Sequence, residues 1–256
     1  DRLRAPVRLL QRCENRMIKH AASITTSHAM SRGLSDEYGG PRPAVLYNVF
    51  PTAERESIDG RRLDRKHKIR MSLFWYSQTV GPGRGLECLA QASHFLQGEK
   101  VEFHIRGRAR ENYEKHLRNR FSAEFREQVY FHEPVSHLEL MSRIAEHDVG
   151  LAAEIPFCRN KDLTVSNKIL QYILAGLPVL ASETQGQMEI AKKCGAAIRT
   201  YKPDDPEELA THIRYWAKHP NDRQAAANLA KDCGEDIFNW ENYRTVLTDC
   251  VTATLG

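Results

Sequence analysis

The pattern of apolar and polar positions changes period repeatedly along the chain, and each change predicts an element. From residue 69 onward, short apolar runs at 69–77, 101–106, 128–131, 148–152, 179–181 and 196–199 read as buried strands. Between them, three- to four-residue spacing predicts helices over 86–96, 110–120, 136–146, 166–176 and 187–194. Three further helices, 206–218, 222–233 and 240–251, close the chain. The clearest stretch is 166–182. Ile169 with Ile173, and Leu170 with Leu174, make one apolar helix face. Ser166 is placed to cap that helix through its hydroxyl, Gly176 suits a left-handed C-terminal cap, and Pro178 stops it before the strand Val179-Leu180-Ala181. Alternating strands and helices predict a parallel sheet with helices on both faces.

The first 68 residues follow a different pattern. A helix over 1–20 carries Arg2, Arg4, Arg8, Arg12, Arg16 and Lys19 at helical spacing, with Val7, Leu9, Leu10, Met17 and Ile18 as apolar positions. It reads either as a solvated basic face or as a surface drawn to anionic lipid head groups. A short strand at 22–27, a helix at 28–38 ended by Gly39-Gly40, and a strand at 44–48 follow. The polar stretch 51–68 reads as a linker containing a domain boundary.

Composition narrows this picture. Of 256 residues, 41% are hydrophobic and 27% charged, as in a globular chain, and the net charge of +4 does not by itself suggest nucleic acid. No apolar run approaches the roughly 20 residues of a membrane span, and no signal peptide is visible. The chain begins at Asp1 rather than Met and is read as a piece of a longer protein. The six cysteines form no CxxC pair, so reduced thiols are expected, with neither a zinc site nor a disulfide framework. The eleven histidines show no ligand spacing, and no Ser/His/Asp or Cys/His order stands out.

Four stretches carry candidate chemistry. Gly81-Pro82-Gly83-Arg84-Gly85 follows a strand and opens a helix, where backbone amides and the Arg84 fork suit an anion; the alternative is a tight turn with a surface arginine. Lys168 and Gln171 share a face near a helix start, where the alternative is a solvated lysine. The loop 182–189 lies past a strand end; Gly186 permits a positive φ there, and Glu189 faces a ligand or only pairs locally. The segment 154–162 is either a sugar contact, through Asp162 and Asn160, or an ordinary surface loop.

Taken together, Gly81 to Glu87, Phe103 to Gly107, His147 to Leu151, Ser166-Asn167-Lys168 through Ser182, and Phe238 to Glu241 resemble a GT-B glycosyltransferase of the family-4 type over about residues 68–256. The resemblance implies a Rossmann-like, doubly wound α/β domain with a helical C-terminal tail. It also implies a division into 1–58 (the end of an acceptor-side N-terminal domain, plus linker), 59–236 (the nucleotide-sugar-binding domain) and 237–256 (a helix returning to the N-terminal domain). It assigns Gly83, Arg84, Gly85, Ser166, Asn167, Lys168, Gln171, Gly186 and Glu189 to donor binding, with Arg84 and Lys168 at the diphosphate and Gln171 at the ribose. Leu163 and Gln171 stand where the family's paired glutamates would fall, and Ser77-Gln78 occupies the area of its first basic residue. The implied activity is metal-independent, retaining transfer from a nucleoside-diphosphate sugar to a glycan or lipid-linked acceptor, with no cofactor. Catalytic groups are expected in an N-terminal domain mostly outside this chain, so the chain alone is expected not to turn over. The implied location is cytoplasmic, with peripheral contact at the inner membrane face through the basic helix. An inactive nucleotide-sugar-binding scaffold and a GT-B-like nucleotide-sugar epimerase are the alternative readings.

Overall fold

A computed structural model describes residues 4–65 and 69–255. Arg2 of the first predicted helix, Lys66 and Lys68 of the linker, and Gly256 lie outside the described residues. The strands are β1 (Ile24–Thr25), β2 (Ala44–Val45), β3 (Met71–Val80), β4 (Val101–Ala109), β5 (Val129–His132), β6 (Val149–Ala152), β7 (Val179–Ser182) and β8 (Ile198–Tyr201). The α-helices are α1 (Arg4–His20), α2 (His28–Tyr38), α3 (Leu86–Ala92), α4 (Tyr113–Arg120), α5 (His137–Ala145), α6 (Arg159–Leu163), α7 (Asn167–Ala175), α8 (Gln185–Cys194), α9 (Pro206–Lys218), α10 (Pro220–Asp236) and α11 (Trp240–Leu255).

Six strands form a wholly parallel sheet in the order β5-β4-β3-β6-β7-β8, the doubly wound order that reverses between β3 and β6. Because successive strand residues point to opposite faces, the sheet has two cores. One holds Leu73 and Trp75 of β3, Phe103 and Ile105 of β4, Leu89 of α3, Leu117 of α4 and Trp216 of α9. The other holds Phe74, Val179 and Ala181 against α5, α7, α8 and α10. A Cβ on Gly150 would stand 2.4 Å from the Tyr172 ring, so the glycine lets α7 settle directly on β6. Tyr172 then donates from its hydroxyl to the carbonyl of Phe74 at 3.1 Å, satisfying its one polar atom inside the core.

The N-terminal residues form a small unit of α1, α2 and the parallel pair β1–β2. It meets the main sheet at α6 and α8. Ser27, the N-cap of α2, donates its hydroxyl proton to the carbonyl of Leu163 at 2.5 Å, and Arg159 reaches Glu37 and the carbonyl of Gly33. The far end of the chain returns to the same region. The amide of Trp240 donates to the carbonyl of Phe50 at 3.0 Å, and Glu241 receives the amide of Thr52. No helix among the described residues is long and apolar enough to cross a membrane.

Several expectations need correction. Cys194 and Cys233 are disulfide-bonded, not reduced: α8 and α10 bring together cysteines 39 positions apart, with Cα atoms 5.7 Å from each other. Scattered spacing hides such a pair because tertiary packing alone creates it. Ser166 occupies the N-cap of α7, but its hydroxyl does not cap the helix; it donates to Glu154 at 2.9 Å. Residues 185–189 are helical rather than a loop, and the segment 154–162 contains the short helix α6. Strand β3 runs on to Val80, three residues beyond its predicted end.

Candidate functional site

The elements part at the carboxyl ends of the strands on either side of the order reversal, and a cleft of about 530 Å³ opens there. Its wall runs from Tyr76, Ser77 and Gln78 on β3, across Arg106 on β4 and Pro134-Val135 beyond β5, to Glu154 beyond β6 and the start of α7. The register of β3 against β4 shifts between Tyr76 and Thr79. Gly107 makes that irregularity possible: its φ is 145°, and a Cβ there would lie 2.1 Å from the Ser77 carbonyl.

Glu154 organises the polar wall. One carboxylate oxygen lies 2.8 Å from Lys168 Nζ and accepts the Ser166 hydroxyl; the other lies 3.7 Å from Lys161 Nζ. Burial pushes the Glu154 carboxyl up, but Lys168, Lys161 and the Ser166 hydroxyl outweigh it and hold the group below its ordinary range. Lys168 Nζ also stands 5.5 Å from the Trp75 ring centroid, within cation–π range. Gln171 is buried and accepts the Tyr76 hydroxyl proton. Burial drives the Tyr76 phenol far above its ordinary range, so it remains a neutral donor. The lining carries three cations (Arg106, Lys161 and Lys168) and one carboxylate, Glu154, which pairs with the two lysines. The arrangement can take an anion beside the free amides of the α7 start, and it offers Glu154 and Gln171 as acceptors for hydroxyl groups.

The predicted site residues divide. Ser166, Asn167, Lys168 and Gln171 line the cleft together. Arg84 stands one step behind, donating from Nη1 to the Ser77 hydroxyl at 2.9 Å. Gly83 and Gly85 both take positive φ, and Gly85 packs so closely on Ala153 that a Cβ would lie 2.5 Å from that residue's Cβ. Asn167 also accepts from Asn48 Nδ2 at 2.9 Å. Gly186 does not use a positive φ. It lies in the first turn of α8, where a Cβ would come 2.4 Å from the Thr164 carbonyl. Glu189 faces the N-terminal unit, accepting the amides of His28 (2.9 Å) and Ala29 and the Tyr47 hydroxyl (2.8 Å). Asp162 accepts from the amide and side chain of Gln185, and the Asn160 carbonyl accepts from Thr164; neither residue lines the cleft.

Sequence reading missed Glu154 and Arg106. Glu154 was visible as the first polar residue after a buried strand, a position that opens onto ligand sites in doubly wound sheets. For Arg106 the usable signal was the alternation Glu102, His104, Arg106 within an otherwise apolar strand. His104, His132 and His147 also converge, although their sequence spacing gives no hint of it. Among the described residues, no group of three or more His, Cys, Asp or Glu is arranged to hold a metal ion.

A doubly wound parallel sheet, a cleft at its order reversal and a helical tail returning to the N-terminal unit define a Rossmann-like domain of the GT-B glycosyltransferase type. The chain belongs to the glycosyl transferases group 1 family, which matches residues 72–219. No curated protein matches it. Among solved structures it is similar to Anabaena Alr3699/HepE in complex with UDP, with a TM-score of 0.74 and 20% identity over 93% of this chain and 66% of that one. It is also similar to the sucrose-phosphate synthase of Thermosynechococcus elongatus (TM-score 0.71, 14% identity, 94% of this chain and 60% of that one). A third similar structure is a glycosyltransferase from Rickettsia africae (TM-score 0.71, 14% identity, 90% and 65%). At these identities the likeness is one of fold, and the chain spans about two thirds of the length of these structures or less.

Proposed function

We propose that the cleft binds a nucleoside-diphosphate sugar and that the protein transfers the sugar, with retention, to a glycan or lipid-linked acceptor. One observation carries this reading: a cleft at the order reversal of the sheet, lined by three cations against one carboxylate, at the start of a helix. Lys168 and the α7 amides take the diphosphate, with Arg84 behind Ser77 as a further positive charge. These groups offset the charge that develops on the leaving nucleoside diphosphate, with no metal ion or cofactor invoked. Gln171 serves the ribose, and Glu154 accepts hydroxyl protons. Crystals of the similar Anabaena protein hold UDP and UDP-glucose, which makes uridine nucleotides the first to test. Residues 59–236 form the donor-binding unit in this reading, 1–58 belong to the acceptor side, and 237–256 tie the two. The exposed basic helix α1 contacts anionic head groups on the cytoplasmic side.

The test is calorimetric titration with UDP, GDP and ADP and their glucose conjugates. Saturable binding of at least one, weakened about tenfold or more in Lys168→Ala, is the expected result for a lost charge-assisted contact. Absence of binding across the panel would overturn the reading. It would favour a non-catalytic scaffold, in which the Lys168–Glu154 ion pair and the Gln171–Tyr76 hydrogen bond are only structural.

A further inference from the structure

Strand β4 has one apolar side and one polar side, and both are buried. Val101, Phe103 and Ile105 enter the first core, while Glu102, His104 and Arg106 point the other way. Over β3, β6 and β7 that second face is covered by helices with apolar side chains. Over β4 it meets the crossing segment 59–65. Two consecutive residues of that segment clasp the two ends of the polar stripe. Arg65 reaches the amino end, with Nε 2.8 Å from Glu102 and Nη1 2.8 Å from Asp148. Asp64 reaches the carboxyl end. Its carboxylate accepts from Arg106 Nη2 and lies 3.4 Å from His132 Nδ1 and 3.7 Å from His147 Nε2. The amide of Asp64 is itself held by Glu146 at 2.9 Å.

Arg106 is the member of the stripe that lines the cleft. Its two terminal nitrogens are engaged, one by Asp64 and the other by the Glu133 carbonyl, so the plane of the guanidinium is fixed. Its Nε is buried without a partner. A buried donor left unpaired is unfavourable, so an acceptor oxygen from a ligand would be favourable there. Strands β4 and β6 flank β3, so their ends stand about 10 Å apart at ordinary strand spacing. Arg106 and the Glu154–Lys168 pair therefore stand at different parts of one cleft. The cleft wall also carries Pro134, Val135 and Leu140, and Tyr76 stands beside Arg106 in the sheet register.

We propose that Arg106 binds an acceptor oxygen on the nucleoside part of the ligand and that Asp64 is the positioning residue that sets its guanidinium. The inference rests on the donor-site reading for its ligand and on the crossing segment for its geometry. It ties that segment, which joins the N-terminal unit to the sheet, to ligand affinity.

The test uses Asp64→Asn, Arg106→Met, the double variant and Arg106→Lys, with titration by UDP and by pyrophosphate. Each single variant weakens UDP binding about tenfold, and the double variant weakens it no further than the worse single one, because both act through one guanidinium. Arg106→Lys, which keeps the charge but cannot hold Asp64 and Glu133 together, behaves like Arg106→Met. Pyrophosphate affinity stays within about twofold in all of them if the contact is to the nucleoside. UDP affinity unchanged in a folded variant, or pyrophosphate affinity falling as much as UDP affinity, overturns the assignment of Arg106. A second readout needs no ligand. The Arg106 Nε–H resonance is protected from exchange in the parent protein and loses that protection in Asp64→Asn; equal protection in both overturns the positioning role. If the parent protein binds no nucleotide, the donor-site reading and the ligand role of Arg106 fall together, and this resonance still decides the role of Asp64.

Discussion

Replacing Glu189 with alanine tests the least expected placement in the structure. The start of α2 leaves free amides, as every helix start does. Ser27 takes the amide of Met30, while the Glu189 carboxylate takes those of His28 and Ala29 and also the Tyr47 hydroxyl. Tyr47 is 1% exposed, so its hydroxyl has no water to replace the lost acceptor. Hydrogen bonds to a charged group contribute roughly 1.5–3 kcal/mol each, and a lost helix cap typically costs about 1 kcal/mol. The His28 amide is exposed and regains water, whereas Ala29 is buried, so the expected loss for Glu189→Ala is about 3 kcal/mol, carried by Tyr47 and Ala29, with Glu189→Gln losing roughly half as much. Urea unfolding followed by circular dichroism measures this as a lowered midpoint at constant slope. Hydrogen exchange locates it, with protection falling in α2 and around Tyr47 and holding in β3 and α7. Nucleotide affinity stays within about threefold, because Glu189 does not line the cleft. A stability loss under about 0.5 kcal/mol, the ordinary range for a surface substitution, would refute the reasoning. So would a large loss of nucleotide affinity with stability intact, which would place Glu189 at the donor instead.

Two further predictions follow from buried groups. Removing the Cys194–Cys233 bond by the double serine variant frees a loop spanning 39 positions; the chain-entropy argument puts the loss near 4 kcal/mol, and unchanged stability with and without reductant would show the bond to be absent in solution. Burial holds His147 down to about 3 and His132 down to about 4, below the ordinary value of 6.5. Their neutral forms therefore contribute stability that is complete above pH 6.5 and is lost as pH falls from there toward 4 and 3. At pH 5 the loss is roughly 2 kcal/mol per ring. Asp64 is also depressed, the Arg106 hydrogen bond and the neighbouring His147 and His132 rings outweighing the burial that pushes it up, and its contribution is lost only below about pH 3.8. His147→Gln should flatten the decline between pH 6.5 and 5 in urea titrations, and an unaltered slope would reject this account.

The strands and helices of the main sheet were legible because burial writes itself into period. Helix α7 and strand β7 show this most plainly: Ile169, Leu170, Ile173 and Leu174 face the core as spaced, and Gly176 takes the left-handed cap with φ 80°. Polar partnerships were less legible. The hydroxyl of Ser166 had two acceptable uses, and the nearby Glu154, twelve residues earlier, decided between them. Asp64 and Arg106, 42 residues apart, share no pattern that a period can reveal, since one lies in a polar linker and the other in a strand. Gly186 looked like a turn glycine, although the structure uses its missing side chain rather than its backbone freedom. Periodicity reports which side of an element is buried; it does not report what a buried polar group meets there.

Helix α8 is gripped on three sides. Gln187 donates to the carbonyls of Ala152 and Ser182 at the sheet, Cys194 is bonded to α10, and Glu189 holds the start of α2. Two of these grips fix the helix to the domain that carries the cleft, and only the third leads outward. A ten-residue helix so clamped cannot bend to follow a shift of the N-terminal unit. Through α8, a displacement of the N-terminal unit therefore loads the carboxylate of Glu189 first, while Ser27 on Leu163 and Arg159 on Glu37 carry the rest through α6. The joint between the two parts is thus a set of rivets at α6 and α8, and Glu189 is the one that fastens two backbone amides and a buried phenol at once.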